Sequence, residues 1–195
     1  MKPVAVAMAV ALSAMTAACA PAVQSATVKV ASEPVRAADD AVVVVIVQPE
    51  SRLRSVGILD GRGQLVAQLD DRSHAVVHVK EGPTVLYAVR ENDVASVDRV
   101  EGTLVPGRVY YAIVGERPGG VSFEVLSPRS PGGRWAHKDD YLRSTPRLAL
   151  DGDKVGRVMN ELGDPDAIVQ AGEAAASKMT PAATASHTFQ ENDGY

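Results

Sequence analysis

Residues 41–47 read AVVVVIV. A run of β-branched residues this long, with no polar position in it, is too short for a typical helix and fits a strand buried on both faces. Further short runs follow at 56–59, 64–69, 75–79, 84–90, 97–104, 109–114 and 121–126. Between them stand Asp60-Gly61-Arg62-Gly63, Glu81-Gly82-Pro83, Pro106-Gly107 and Pro118-Gly119-Gly120. These are turn formers, because glycine reaches positive φ without steric cost and proline presets its own φ. Many short strands joined by such turns predict a mainly β fold, a single antiparallel β-sandwich over residues 41–130. No helical pattern lies between the runs to carry parallel crossovers.

Within this region Leu65, Ala67 and Leu69 alternate with Gln64, Val66 and Gln68, and Val77 and Val79 flank His78. Each pattern predicts a strand with one solvated face. Tyr110 and Tyr111 fall on opposite faces of an extended segment, one inside and the other at an edge or surface. With two Phe, five Tyr and one Trp, the core is expected to be aliphatic, and an aromatic stacking platform is not expected.

The stretch VGILDGRGQLVAQLDDRSHAVVHVKEGPTVLYAV, followed by LVPGRVYYAIV, resembles the small β-sandwich of bacterial envelope lipoproteins of the PEGA-like type. The matching residues are Asp60 and Gly61, then Gly82, then Gly107, Tyr110 and Tyr111, and the likeness spans residues 41–127. The resemblance implies a non-catalytic envelope module and carries no catalytic residues with it.

Upstream, Lys2 is followed by the uncharged run of residues 4–15 and by Thr16-Ala17-Ala18-Cys19. An apolar run of this length is short of the roughly 20 residues that span a bilayer and suits a signal peptide. Residues 16–19 resemble the lipobox of bacterial lipoproteins, with Thr16 where Leu is usual. Cleavage after residue 18 would expose the thiol of Cys19 for acylation. Cys19 is the only cysteine, so an internal disulfide is excluded and lipidation gives an exported thiol its purpose. The alternative is ordinary secretion, with Ala18 and Ala20 directing a cut before Pro21. Ala20 after the cysteine resembles the outer-membrane sorting signal of enterobacteria. Residues 19–40, small and polar, are expected to form a flexible tether; the alternative is that residues 26–31, with Val28 and Val30, add an edge strand.

Beyond Pro131 the valine alternation stops. Val155, Val158, Met159 and Leu162 fall at helical spacing before Gly163, and Asp164-Pro165 reads as a cap and first residue of a second helix with Ile168, Ala171, Gly172, Ala175 and Met179 on one face. Residues 131–179 are thus expected to be a connector and a short helical appendage covering the sheet, and residues 180–195 a disordered tail. The appendage is acidic: residues 151–195 hold eight acids and three bases, against 24 and 20 in the whole chain. That balance offers no basic stripe for nucleic acid.

Candidate chemistry is sparse. His74 and His78 are four apart, but on a strand that is about 13 Å, too far to share an ion; both are expected at the surface. Asp151-Gly152-Asp153-Lys154-Val155-Gly156 matches the opening of a calcium loop, but Val155 and Leu162 stand where ligands are needed, so a turn before a helix is expected. His137, Asp139 and Asp140 near Trp135 read as an exposed connector. No nucleophile elbow, phosphate loop or zinc helix is present. The expectation is a lipid-anchored envelope protein, not an enzyme and without cofactor or metal, acting as a binding or scaffolding module for protein or peptidoglycan. The alternative is a secreted hydrolase or an accessory or inhibitor subunit of an envelope enzyme.

Overall fold

The computed structural model describes residues 26–50, 53, 55–90 and 93–195. The expected leader (residues 1–18), the Cys19 acylation site and the first part of the tether lie outside the described residues. The protein is mainly β, with its helices toward the C-terminal end.

The strands are β1 (Thr27–Val30), β2 (Val42–Gln48), β3 (Ser55–Asp60), β4 (Leu65–Asp70), β5 (Ser73–Val79), β6 (Gly82–Arg90), β7 (Asp93–Leu104), β8 (Arg108–Arg117), β9 (Gly120–Val125), β10 (Arg147–Leu150) and β11 (Thr188–Phe189). The helices are α1 (Lys138–Ser144), α2 (Val155–Leu162), α3 (Pro165–Ala176) and α4 (Pro181–His187). A six-stranded sheet runs β1-β10-β5-β2-β8-β9, and a five-stranded sheet runs β11-β7-β6-β3-β4. All eight strands read from the valine runs and turns are present.

Both sheets are mixed, which corrects the expected all-antiparallel arrangement. β2 and β8 are parallel, with Val44 opposite Tyr110, and so are β10 with β5 and β11 with β7. The physical reason is that a crossover need not be a helix. Between β2 and β8 the chain passes to the other sheet as β3 and β4, returns as β5 and leaves again as β6 and β7.

Strand β2 lies inside the six-stranded sheet and is buried throughout. Val42, Val44 and Ile46 meet Ile58, Leu86, Val100 and Phe123 in the core between the sheets. Val43, Val45 and Val47 face the other way, beneath Val35, Ala37, Trp135 and Leu142. Full burial of each such side chain contributes about 1.5–3 kcal/mol, so this one segment is a large part of the apolar stabilisation. Tyr110 and Tyr111 do point to opposite faces, but both are buried, because the connector after Pro131 covers the outer face as well.

The outer face of the five-stranded sheet is covered by α2 and α3, as the sequence suggested. Asp164 accepts a hydrogen bond from the Asp166 amide, Pro165 opens α3, and Gly163 follows α2 at φ 104°. Ile168 and Gly172 face the sheet, and Gly172 lets the helix backbone approach the Tyr87 ring and Val97. Gln68 is not solvated as expected, but buried between Ser55 and Ala26.

Two expectations about the ends are corrected. Within the expected tether the alternative of an edge strand at residues 26–31 is the one found: β1, at the edge of the six-stranded sheet, pairs with β10, and Val35 and Ala37 pack on the outer face of that sheet. Residues 180–195 are not a disordered tail: α4 is followed by β11 on β7, and Phe189 enters the core. Neither segment has the periodicity to fold alone; each is ordered by a ladder partner far away in sequence. Among the described residues no helix is long and apolar enough to cross a membrane.

Candidate functional site

Two side-chain centres stand out, and the first is inside the protein. Asp98 on β7 has no solvent exposure. Its Oδ2 accepts from the Phe123 amide at 2.9 Å and lies 3.3 Å from Arg117 Nη1 and 3.2 Å from His187 Nε2. On the opposite side of the ring, His187 Nδ1 is 2.6 Å from the Ala183 carbonyl oxygen. Carbonyl and carboxylate oxygens only accept, so the imidazole bridges them when it carries a proton on each nitrogen. Burial pulls the His187 pKa down, but hydrogen bonds to Asp98 and Ala183 and the charges of Asp98 and Glu124 outweigh it, and the pKa is raised.

Ser186 Oγ lies 3.1 Å from His187 Nδ1, so serine, histidine and aspartate stand in a row. The arrangement is closed, however. Ser186 donates to Ala183 O at 2.8 Å, and both ring nitrogens face oxygen acceptors, so whenever the ring is doubly protonated it has no lone pair to take a proton from Ser186. What the group does is fasten parts together. Ser96 Oγ accepts from the Val121 amide at 2.8 Å beside the Asp98 contact to Phe123, so side chains of β7 satisfy backbone donors of β9. At the other side Gln68 Oε1 accepts from the Ala26 amide at 2.9 Å.

The histidine pair singled out in the sequence is not brought together. His78 is exposed, whereas His74 is buried, which corrects its expected surface position. Its Nδ1 is 2.9 Å from Thr145 Oγ1, which in turn donates to Tyr141 O, so His74 ties β5 to the end of α1. Burial pushes its pKa down. Asp151 accepts from the Asp153 amide and pairs with Lys154 at 2.9 Å, forming the expected turn before α2. Asp140 is exposed and bonded to Arg143, which lowers its pKa. Among the described residues no three His, Asp or Glu side chains converge as metal ligands.

The second centre is aromatic and was not expected. On the outer face of the six-stranded sheet the Trp135 ring stacks on Tyr195, with centroids 5.1 Å apart and planes at 21°. Tyr111 meets Trp135 edge-on at 5.7 Å, and Lys138 Nζ sits 4.7 Å from the Tyr111 centroid and 5.2 Å from that of Trp135. The aromatics are few, but three of them meet because Tyr195 pairs with Val109 through N–H···O bonds of 2.8 and 3.1 Å. No spacing in the sequence announces this, since Tyr111 and Trp135 are 24 positions apart and Trp135 and Tyr195 are 60.

Two of the surface depressions are open, and a more enclosed one of about 330 Å³ is lined by Ser127, Arg129, Ala182 and Ser186. One of about 540 Å³ is lined by Arg90, Asp93, Glu116 and Arg117, where Arg90 and Asp93 are paired at 3.0 Å. Another, of about 460 Å³, runs beside Thr84, Glu101, Thr103 and Phe189. The fold and these centres define a mainly β protein of two mixed sheets fastened by buried side-chain hydrogen bonds. No protein-family model matches the chain. No curated protein matches its sequence.

Proposed function

We propose that the protein is a lipid-anchored component of a bacterial cell envelope that works as a binding or scaffolding module and not as a catalyst. Its two facing sheets are read as a sandwich of the kind found in PEGA-like envelope modules. The anchor is Cys19, acylated after removal of residues 1–18, and Ala20 favours the outer membrane. The partner is an envelope protein or peptidoglycan.

The observation that carries the non-catalytic reading is the closed Asp98–His187 pair. The buried groups whose chemistry could serve hydrolysis face one another and backbone atoms, and so act as fasteners. Acylation supports firm anchoring because several chains contribute about 0.8 kcal/mol per buried methylene, where one chain binds only marginally.

Intact mass measurement of the protein extracted from membranes tests the anchor. The expected mass is that of residues 19–195 plus a diacylglyceryl group and an amide-linked acyl chain; an unlipidated chain beginning elsewhere would refute it. Sedimentation of full-length Cys19→Ser protein with purified peptidoglycan then separates the partners, retention favouring peptidoglycan and its absence favouring a protein.

A further inference from the structure

The register of the six-stranded sheet brings the start of β1 and the aromatic stack to the same end of the protein. Thr27 lies opposite Leu150, and Leu148 opposite Ala75. Two residues further along, Val77 lies opposite Val44, and Val44 opposite Tyr110. Thr27 is therefore level with Tyr110, and the chain enters β1 from the end at which β2 and β8 begin. Tyr195 is bonded to Val109 at that end.

Six residues separate Cys19 from the buried Ala26. Even fully extended, that length holds an acylated Cys19 within roughly 25 Å of Ala26. β8 lies four strand spacings from β1, roughly 19 Å across the sheet. The stack thus falls within the distance that the anchor itself permits.

The exposed apolar groups lie on this side. Among the described residues the large apolar side chains left exposed are Val28, at 44%, and Tyr195, at 58%. Val28 pairs with Ala149, on the face that carries Val76, Val45 and Tyr111. Tyr195 stacks on Trp135 over the same face. Tyrosine and tryptophan rings favour the headgroup level of a bilayer, where an apolar body and a polar tip are both satisfied. Lys138, beside these rings, is paired with Asp139 at 2.9 Å.

We propose that the anchored protein rests on the lipid surface through the Trp135–Tyr195 stack, with Val28 at the far side of the same face. The proposal depends on the lipid anchor at Cys19.

Trp135 is the sole tryptophan, which makes it the reporter. The acylated protein, residues 19–195, is reconstituted in phosphatidylglycerol–phosphatidylethanolamine vesicles with and without phospholipid brominated near the headgroup, and Cys19→Ser protein is mixed with the same vesicles. The expected result is that the acylated protein floats with the vesicles, loses Trp135 emission to the brominated lipid and is shielded from acrylamide, at low and high salt alike. Flotation with quenching no greater than that of Cys19→Ser overturns the lipid contact while leaving the anchor intact. Failure of the wild-type protein to float overturns the anchor and this contact with it.

Discussion

Asp98 and His187 are 89 residues apart in sequence and 3.2 Å apart in the fold. This contact joins β7 of the five-stranded sheet to the last turn of α4, and the Phe123 amide adds β9 of the other sheet. A single buried carboxylate therefore holds three segments together.

Removing it should be costly. Asp98→Ala strips the acceptor from the Phe123 amide and leaves His187 without its counter-charge, and loss of one member of a buried pair costs about 3–5 kcal/mol. Arg117, whose side chain is 42% exposed, contributes much less, and Arg117→Ala should cost about 1 kcal/mol or less. Urea unfolding of the two variants checks both the size and the order.

Stability should peak near neutral to slightly acid pH, because the two buried histidines act in opposite directions. The His187 pKa is raised above 6.5, so its contribution is complete below 6.5 and is lost as pH rises through the folded-state value. The His74 pKa is lowered, so its share is present above 6.5 and lost as pH falls through the folded-state value. His187→Gln should flatten the alkaline side alone. Chemical unfolding as a function of pH, with NMR titration of the two rings, measures this.

Helix α3 depends on a missing side chain. A Cβ at position 172 would meet Tyr87 Cδ1 and come within 2.6 Å of Cε1. Gly172→Ala gains about 1 kcal/mol of helix propensity, but overpacking costs about 1–3 kcal/mol, so the helix should loosen. Faster amide exchange in α3 with little change in β2 is the expected readout.

The central valine strand and the edge strand should differ sharply. Ile46→Ala opens a cavity in the core and should cost about 2–5 kcal/mol, whereas Val28→Ala, at an exposed position, should stay within about 0.5 kcal/mol. Thermal and chemical denaturation of both variants tests the assignment of the core.

What the sequence revealed follows from the range of the interactions. Strands β2 to β9 were legible because valine periodicity and Gly or Pro turns are local signals, and β2 was read as doubly buried from residues 41–47 alone. The alternation of Val28 and Val30 is a weak local signal for the edge strand β1, whereas the four-residue β10 and the two-residue β11 carry almost no local pattern and exist through their pairing. The parallel pairing of β2 with β8 has no local signal, because the crossover is built from strands in the other sheet. Likewise Asp98 with His187, and Trp135 with Tyr195, meet only after the chain has crossed both sheets. Gln68 and His74 lie inside and not at the expected surface because segments remote in sequence, Ala26 and Thr145, supply their partners.

Partition of the full chain and its Cys19→Ser variant between membrane and soluble fractions bears most directly on the proposed role. The wild-type protein is expected in the membrane fraction, resistant to high salt and released by detergent, and the variant in the soluble fraction with its fold intact by circular dichroism. A folded Cys19→Ser protein that stays in the membrane fraction would contradict the lipid anchor on which the account rests.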